Sequence, residues 1–127
     1  MSEQYGRIPD GDRSALDARV AVFEARASAA QAKGAQAFSR LLDLAVTKNS
    51  GQAKRVAQFL ASTFNGTDFA WDPFELRGLD VAIGDDMLAC LDTLRWAKAD
   101  LCSLVPNGES RVLAVIELWG FQWPTRD

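Results

Sequence analysis

Residues 35–64 read AQAFSRLLDLAVTKNSGQAKRVAQFLASTF, and this stretch decides the fold. In its first half Phe38, Leu41, Leu42 and Ala45 recur at i, i+3, i+4 and i+7. That spacing gathers apolar side chains on one face of an α-helix. Val56, Phe59, Leu60 and Phe64 keep a helical spacing in the second half. Between the halves, Lys48-Asn49-Ser50-Gly51 supplies turn formers, with Ser50 placed to cap the helix that follows. So short a connection between two amphipathic helices returns the second along the first, so helices over 35–47 and 51–64 are expected to form an antiparallel hairpin.

Upstream, residues 1–11, with Gly6, Pro9 and Gly11, read as a flexible arm, which leaves 12–127 as a single helical domain. Asp12 or Ser14 is placed to cap a helix over 12–33, in which Leu16, Val20 and Phe23 keep helical spacing. The run ARASAAQAKGAQA, residues 25–37, is nearly all alanine and polar residues. Alanine favours helix but buries little area, and Gly34 is expected to break the chain between this helix and the hairpin. Downstream, Asn65-Gly66 closes the hairpin, and Asp72-Pro73 reads as the cap and first position of a short helical turn within an irregular link. A fourth helix is expected from Leu79 or Asp80 to Leu101, lined by Ile83, Met87, Cys90, Leu91 and Leu94. After the turn at Pro106-Asn107-Gly108, the segment ESRVLAVIELWGF over 109–121 fits a helix through Val112, Val115, Ile116 and Trp119. It is also rich in strand formers. Helix is preferred, because no second strong strand exists to pair with it. The expected fold is all-α: a small bundle of four to five helices with an aromatic-rich link between the third and fourth.

Composition agrees with one core in one domain. The chain has 127 residues, 48% hydrophobic and 24% charged, with a net charge of −3. An acidic balance argues against a nucleic acid partner, since binding to phosphates needs a basic surface. The charge is unevenly spread. Residues 34–66 carry Arg40, Lys48, Lys54 and Arg55 against Asp43, a net +3, while 67–127 carry eleven acids and five bases, a net −6. The basic middle is expected to pack beside the acidic half; the functional alternative is an acidic face for a basic partner. No apolar run approaches the ~20 residues of a spanning helix, and the N-terminus lacks the apolar core of a signal peptide, so a cytoplasmic protein without membrane contact is expected. Cys90 and Cys102 offer no disulfide framework and read as free, buried thiols.

The chain has no histidine, which removes the commonest general base and metal ligand and, with them, Ser–His and Cys–His nucleophiles. It has no CxxC pair, no glycine-rich phosphate loop and no GxSxG elbow. The expectation is a protein that is not an enzyme and takes no cofactor. What chemistry remains belongs to carboxylates: Asp80, Asp85 and Asp86, preceded by Asp72 and Glu75. Oxygen ligands alone can hold Mg²⁺. At about 100° per residue, however, Asp85 and Asp86 diverge by about 100° and Asp80 lies about 140° from Asp85, a poor convergence on one ion. Acids also favour a helix N-terminus. An ion pair between Arg55 and Asp86 is expected to hold the third helix to the fourth.

Five of the aromatic residues fall between Phe59 and Phe74, and Trp119, Phe121 and Trp123 cluster near the C-terminus. Most are expected to complete the core. The alternative is that Trp71, Phe74, Trp96 and Trp123, with Asp80, Asp85 and Asp86, form an exposed patch for a protein partner, since tryptophan is enriched in binding hot spots. The leading functional expectation is therefore a non-catalytic interaction protein. A structural homo-oligomer, such as a homodimer joined across a two-fold axis, comes second, and a carboxylate-based metal-dependent enzyme or nuclease third.

Two segments carry a resemblance. QAKRVAQFLASTFN (52–65) and DPFELRGLDVAIGDDML (72–88) make the chain similar, over about residues 38–95, to a family of small uncharacterised bacterial proteins found on plasmids, integrative elements and phages. The residues that carry it are Lys54, Arg55, Val56, Ala57, Phe59 and Leu60, then Gly78, Asp80, Ala82, Ile83, Asp85, Asp86 and Met87. The resemblance implies a bacterial cytoplasmic setting; an accessory factor or an inhibitor of a host complex is the form that the interaction reading takes there. It implies no catalytic residue.

Overall fold

Two helices flank the turn at residues 48–50: α1, Arg13–Thr47, and α2, Gly51–Phe64. Ser50 caps α2 as expected, its Oγ accepting the Ala53 N–H at 3.1 Å. A 3-10 turn, Pro73–Gly78, leads into α3, Val81–Trp96; a second 3-10 turn, Leu101–Leu104, leads into α4, Gly108–Leu118. The structure is a computed structural model that describes residues 13–96 and 99–124, and among these there is no strand. The expected all-α bundle is the fold. The arm over residues 1–11 and the possible cap at Asp12 lie outside the described residues.

Three sequence expectations need correction. Gly34 does not break the chain: α1 runs unbroken through it for 35 residues. The reason lies in α3. A Cβ on Gly34 would sit 1.8 Å from Thr93 Oγ1 and 2.9 Å from Thr93 Cβ, so the missing side chain is the room that Thr93 fills. Thr93, itself buried, directs its hydroxyl at the Ala30 and Ala89 carbonyls, both at 3.0 Å. Close packing thus offsets the ~1 kcal/mol that glycine costs a helix interior. Second, Ser14 lies inside α1 and does not cap it. Third, α3 is described only to Trp96, and Leu101 opens a separate turn.

α3 runs antiparallel to α1, since Trp96 meets Phe23, Thr93 meets Ala30 and Asp86 meets Arg40. The core lies where the four helices meet. Phe38, Leu41, Leu42 and Ala45 of α1 are buried there against Val56, Phe59 and Leu60 of α2, Met87 and Cys90 of α3, and Val112, Val115 and Ile116 of α4. Residues 109–118 are therefore helical, as preferred: the strand formers Val112, Val115 and Ile116 have no strand to pair with among the described residues, whereas a helix buries all three. Trp119, just past α4, ties it to α1 by donating Nε1–H to the Ala45 carbonyl at 2.8 Å.

Candidate functional site

The link between α2 and α3 is irregular in sequence yet tightly held. Asp72 Oδ1 accepts the Phe74 N–H at 3.0 Å, and Pro73 follows at the first helical position, where its missing N–H costs nothing. The resulting 3-10 turn is clamped from α2 at two points. Arg55 Nε meets Glu75 Oε2 at 2.8 Å, and Gln52 Oε1 accepts the Asp80 N–H at 2.7 Å. Gly78 makes room for the first clamp, since a Cβ there would fall 1.9 Å from Arg55 Nη1. A turn built this way loses little entropy when it meets a partner, because its backbone is already fixed.

Phe74 stands on this turn with 68% of its surface exposed. Arg77, three residues on, lays its guanidinium over the ring at 4.9 Å from the centroid. Positions i and i+3 eclipse on a 3-10 turn, which explains the stacking. Phe74, Arg77, Arg55, Glu75 and Gly78 line an open groove of about 360 Å³. An exposed aromatic ring, a stacked arginine and a rigid backbone are the ingredients of an interface anchor.

The other residues expected at one patch are dispersed. Trp71 is partly buried and packs edge-on against Phe59, with centroids 4.9 Å apart. Trp96 lies at the far end of α3, against Phe23 and beneath the guanidinium groups of Arg26 and Arg95. Trp123 is 45% exposed and leans on Phe64 and Phe69. Asp80 is exposed at the head of α3, where its carbonyl accepts the Gly84 N–H. Asp85 is exposed beside Leu88 and Asp92, over a groove of about 490 Å³ against Ala30 and Lys33 of α1. The aromatics and the acids therefore do not share one face. Of the four aromatics expected in the patch, Phe74 and Trp123 are the exposed ones; the link otherwise feeds the core, through Phe69 and Trp71.

The expected Arg55–Asp86 pair is also replaced. Asp86 is held by Arg40 of α1 through two hydrogen bonds, at 3.0 Å from Nε and 2.8 Å from Nη2, while Arg55 takes Glu75. The broader expectation stands: Arg40 and Arg55 of the basic middle both pair with acids of the C-terminal half. The Arg40–Asp86 pair has no signal in the sequence, which shows which helix carries a cation but not how the helix is rotated. The Phe74–Arg77 stacking did have a signal, the spacing of three after Asp72-Pro73.

Among the described residues, no group of three Asp, Glu or Cys side chains is close enough to hold a metal ion, and Asp80, Asp85 and Asp86 do not converge. No described helix is long and apolar enough to cross a membrane. Both cysteines are free. Cys90 is fully buried, and burial, then the charge of Asp86, pushes its thiol pKa up to about 12. A thiol so protonated is a poor nucleophile.

Residues 35–120 match DUF7673, a family of unknown function, and with more than half its length matched the chain belongs to that family. The match takes in α2, the Phe74 turn, α3 and α4, and starts inside α1. No curated protein and no solved structure matches the chain.

Proposed function

We propose that this member of a family of unknown function is a non-catalytic protein-interaction module that docks its partner on the Phe74 turn. The observation that carries the reading is the exposure of Phe74 on a backbone fixed by Asp72, Arg55 and Gln52. An exposed aromatic ring on a fixed backbone, with an arginine stacked on it, has the make-up of a binding anchor. The clamp also joins residues that the sequence marks together: Arg55, Gly78 and Asp80 all belong to the two segments that carry the resemblance to mobile-element proteins. That resemblance extends the proposal to a bacterial, cytoplasmic setting, where such a module would act as an accessory factor or an inhibitor of a host complex. The lack of histidine supports the non-catalytic half of the reading.

The test compares tagged wild type with Phe74→Ala in affinity capture from the native host. Each protein is first shown to have the same helical content and thermal transition. A partner retained by the wild type and lost with Phe74→Ala supports the proposal. An identical set of captured proteins from both contradicts it.

A further inference from the structure

α4 ends in a motif that turns the chain back over the bundle. Gly120 N–H is donated to the Glu117 carbonyl and Phe121 N–H to the Ile116 carbonyl, both at 3.1 Å. Gly120 takes the left-handed φ of 69° that this kind of helix stop requires. One residue earlier, Trp119 is pinned to α1 through the Ala45 carbonyl. Residues 121–124 then cross the C-terminal end of α2 and the start of the link as a strap. Its Trp123 meets Phe64 and Phe69 edge-on, at centroid distances of 6.4 and 4.7 Å.

The strap is a cover more than a part of the core. Past Phe121, its hold on the body among the described residues is the Trp123 ring. Gln122 Nε2 bonds back to the Gly120 carbonyl, and no other hydrogen bond of residues 122–124 is made to a described residue. Trp123 keeps 45% of its surface exposed, while Phe69 beneath it is buried. An open cavity of about 210 Å³ separates Phe121 and Gln122 of the strap from Gln58, Ala61 and Phe69 of the body, so the fit is incomplete where a core would be close-packed. Phe64 and Phe69 lie inside the family-matched residues, and the strap from Phe121 onward lies outside them. What the notch accepts is set by what fills it: two phenyl rings receive the ring of an indole in edge-to-face geometry.

We infer that the strap is an autoinhibitory contact. The notch between Phe64 and Phe69 is a docking site for a tryptophan-bearing segment of a partner, and Trp123 occupies it as a ligand in cis. The strap swings out about Gly120, where the space around the backbone is open. A partner's tryptophan must displace Trp123, so its apparent affinity is lowered by the fraction of chains in which the strap is closed. The notch shares no residue with the Phe74 groove, and the inference does not rest on docking there.

The test titrates the isotope-labelled full-length chain with the blocked tripeptide Gln-Trp-Pro, the sequence of residues 122–124. Chemical shifts of the Phe69 and Ala70 amides report occupation of the notch. Trp123→Ala removes the ligand in cis and should bind the tripeptide saturably at millimolar concentration. Wild type should need at least about fivefold more peptide, because its own two ring contacts must first be given up. Gly120→Ala should fall between the two. Alanine at a φ of 69° disfavours the closed strap about fivefold and leaves every ring in place, so this variant repeats the test without removing a side chain from the notch. Four results would overturn the inference: no saturable shifts with Trp123→Ala, equal binding by wild type and Trp123→Ala, shifts confined to the Phe74 turn, or dimerisation of wild type that Trp123→Ala abolishes. The last would make a second copy of the chain the occupant.

Discussion

Thr93 is the buried polar residue among those described, and its side chain packs directly on Gly34. Gly34→Ala forces a methyl group onto the Thr93 side chain. Overpacking of this kind costs about 1–3 kcal/mol, against the ~1 kcal/mol that alanine gains in helix propensity. The expected outcome is a net loss of stability by urea unfolding, part of which a second change, Thr93→Ala, restores by removing the overlap. Cys90 gives a prediction in pH. Its folded pKa is raised from 9.0 to about 12, first by burial and then by Asp86, so folding favours the protonated thiol. That contribution is complete below pH 9 and is lost as pH climbs from 9 toward 12. At pH 8 a thiol reagent should therefore modify half-buried Cys102 slowly and leave Cys90 untouched until denaturant is added. The residue scale is also where sequence says least. The Phe74 anchor was legible as a candidate, but its partner Arg77 and the pairings Arg40–Asp86 and Arg55–Glu75 depend on helix rotation, which periodicity does not fix.

Element by element, the reading from sequence is more complete. The hairpin, the Ser50 cap and the Asp72-Pro73 turn follow from local chemistry, and each forms where that chemistry puts it. The cap can be weighed directly: Ser50→Ala leaves the Ala53 N–H without its side-chain acceptor and should cost about 1 kcal/mol by chemical denaturation. α4 was ambiguous because valine, isoleucine and leucine suit both helix and strand. Tertiary context resolves it, by placing Val112, Val115 and Ile116 on one buried face. At Gly34 of α1 the same dependence runs in reverse: a local helix breaker is accommodated by a neighbour, Thr93, that lies 59 positions further along the chain. Local signals carry the elements that stand on their own residues, and fail where another element completes them.

At the scale of the molecule, α1 is a spine with two different halves. Its C-terminal half, inside the family match, carries the bundle; its N-terminal overhang adds little burial to it. The Phe74 turn sits beside the first turns of α2, clamped by Arg55 and Gln52. Two acids of the C-terminal half, Asp86 and Glu75, pair with Arg40 and Arg55 and so tie that half to the basic middle. The central claim is that a protein partner sits on Phe74, and one measurement addresses it most directly. A photo-reactive phenylalanine analogue is placed at position 74 of the full-length chain in its native host, with the same analogue at exposed position 47 as control. A discrete cross-linked adduct is expected from position 74 alone, diminished when Arg77 is replaced by glutamate. The absence of any adduct from position 74, or the same adducts from both positions, would contradict it.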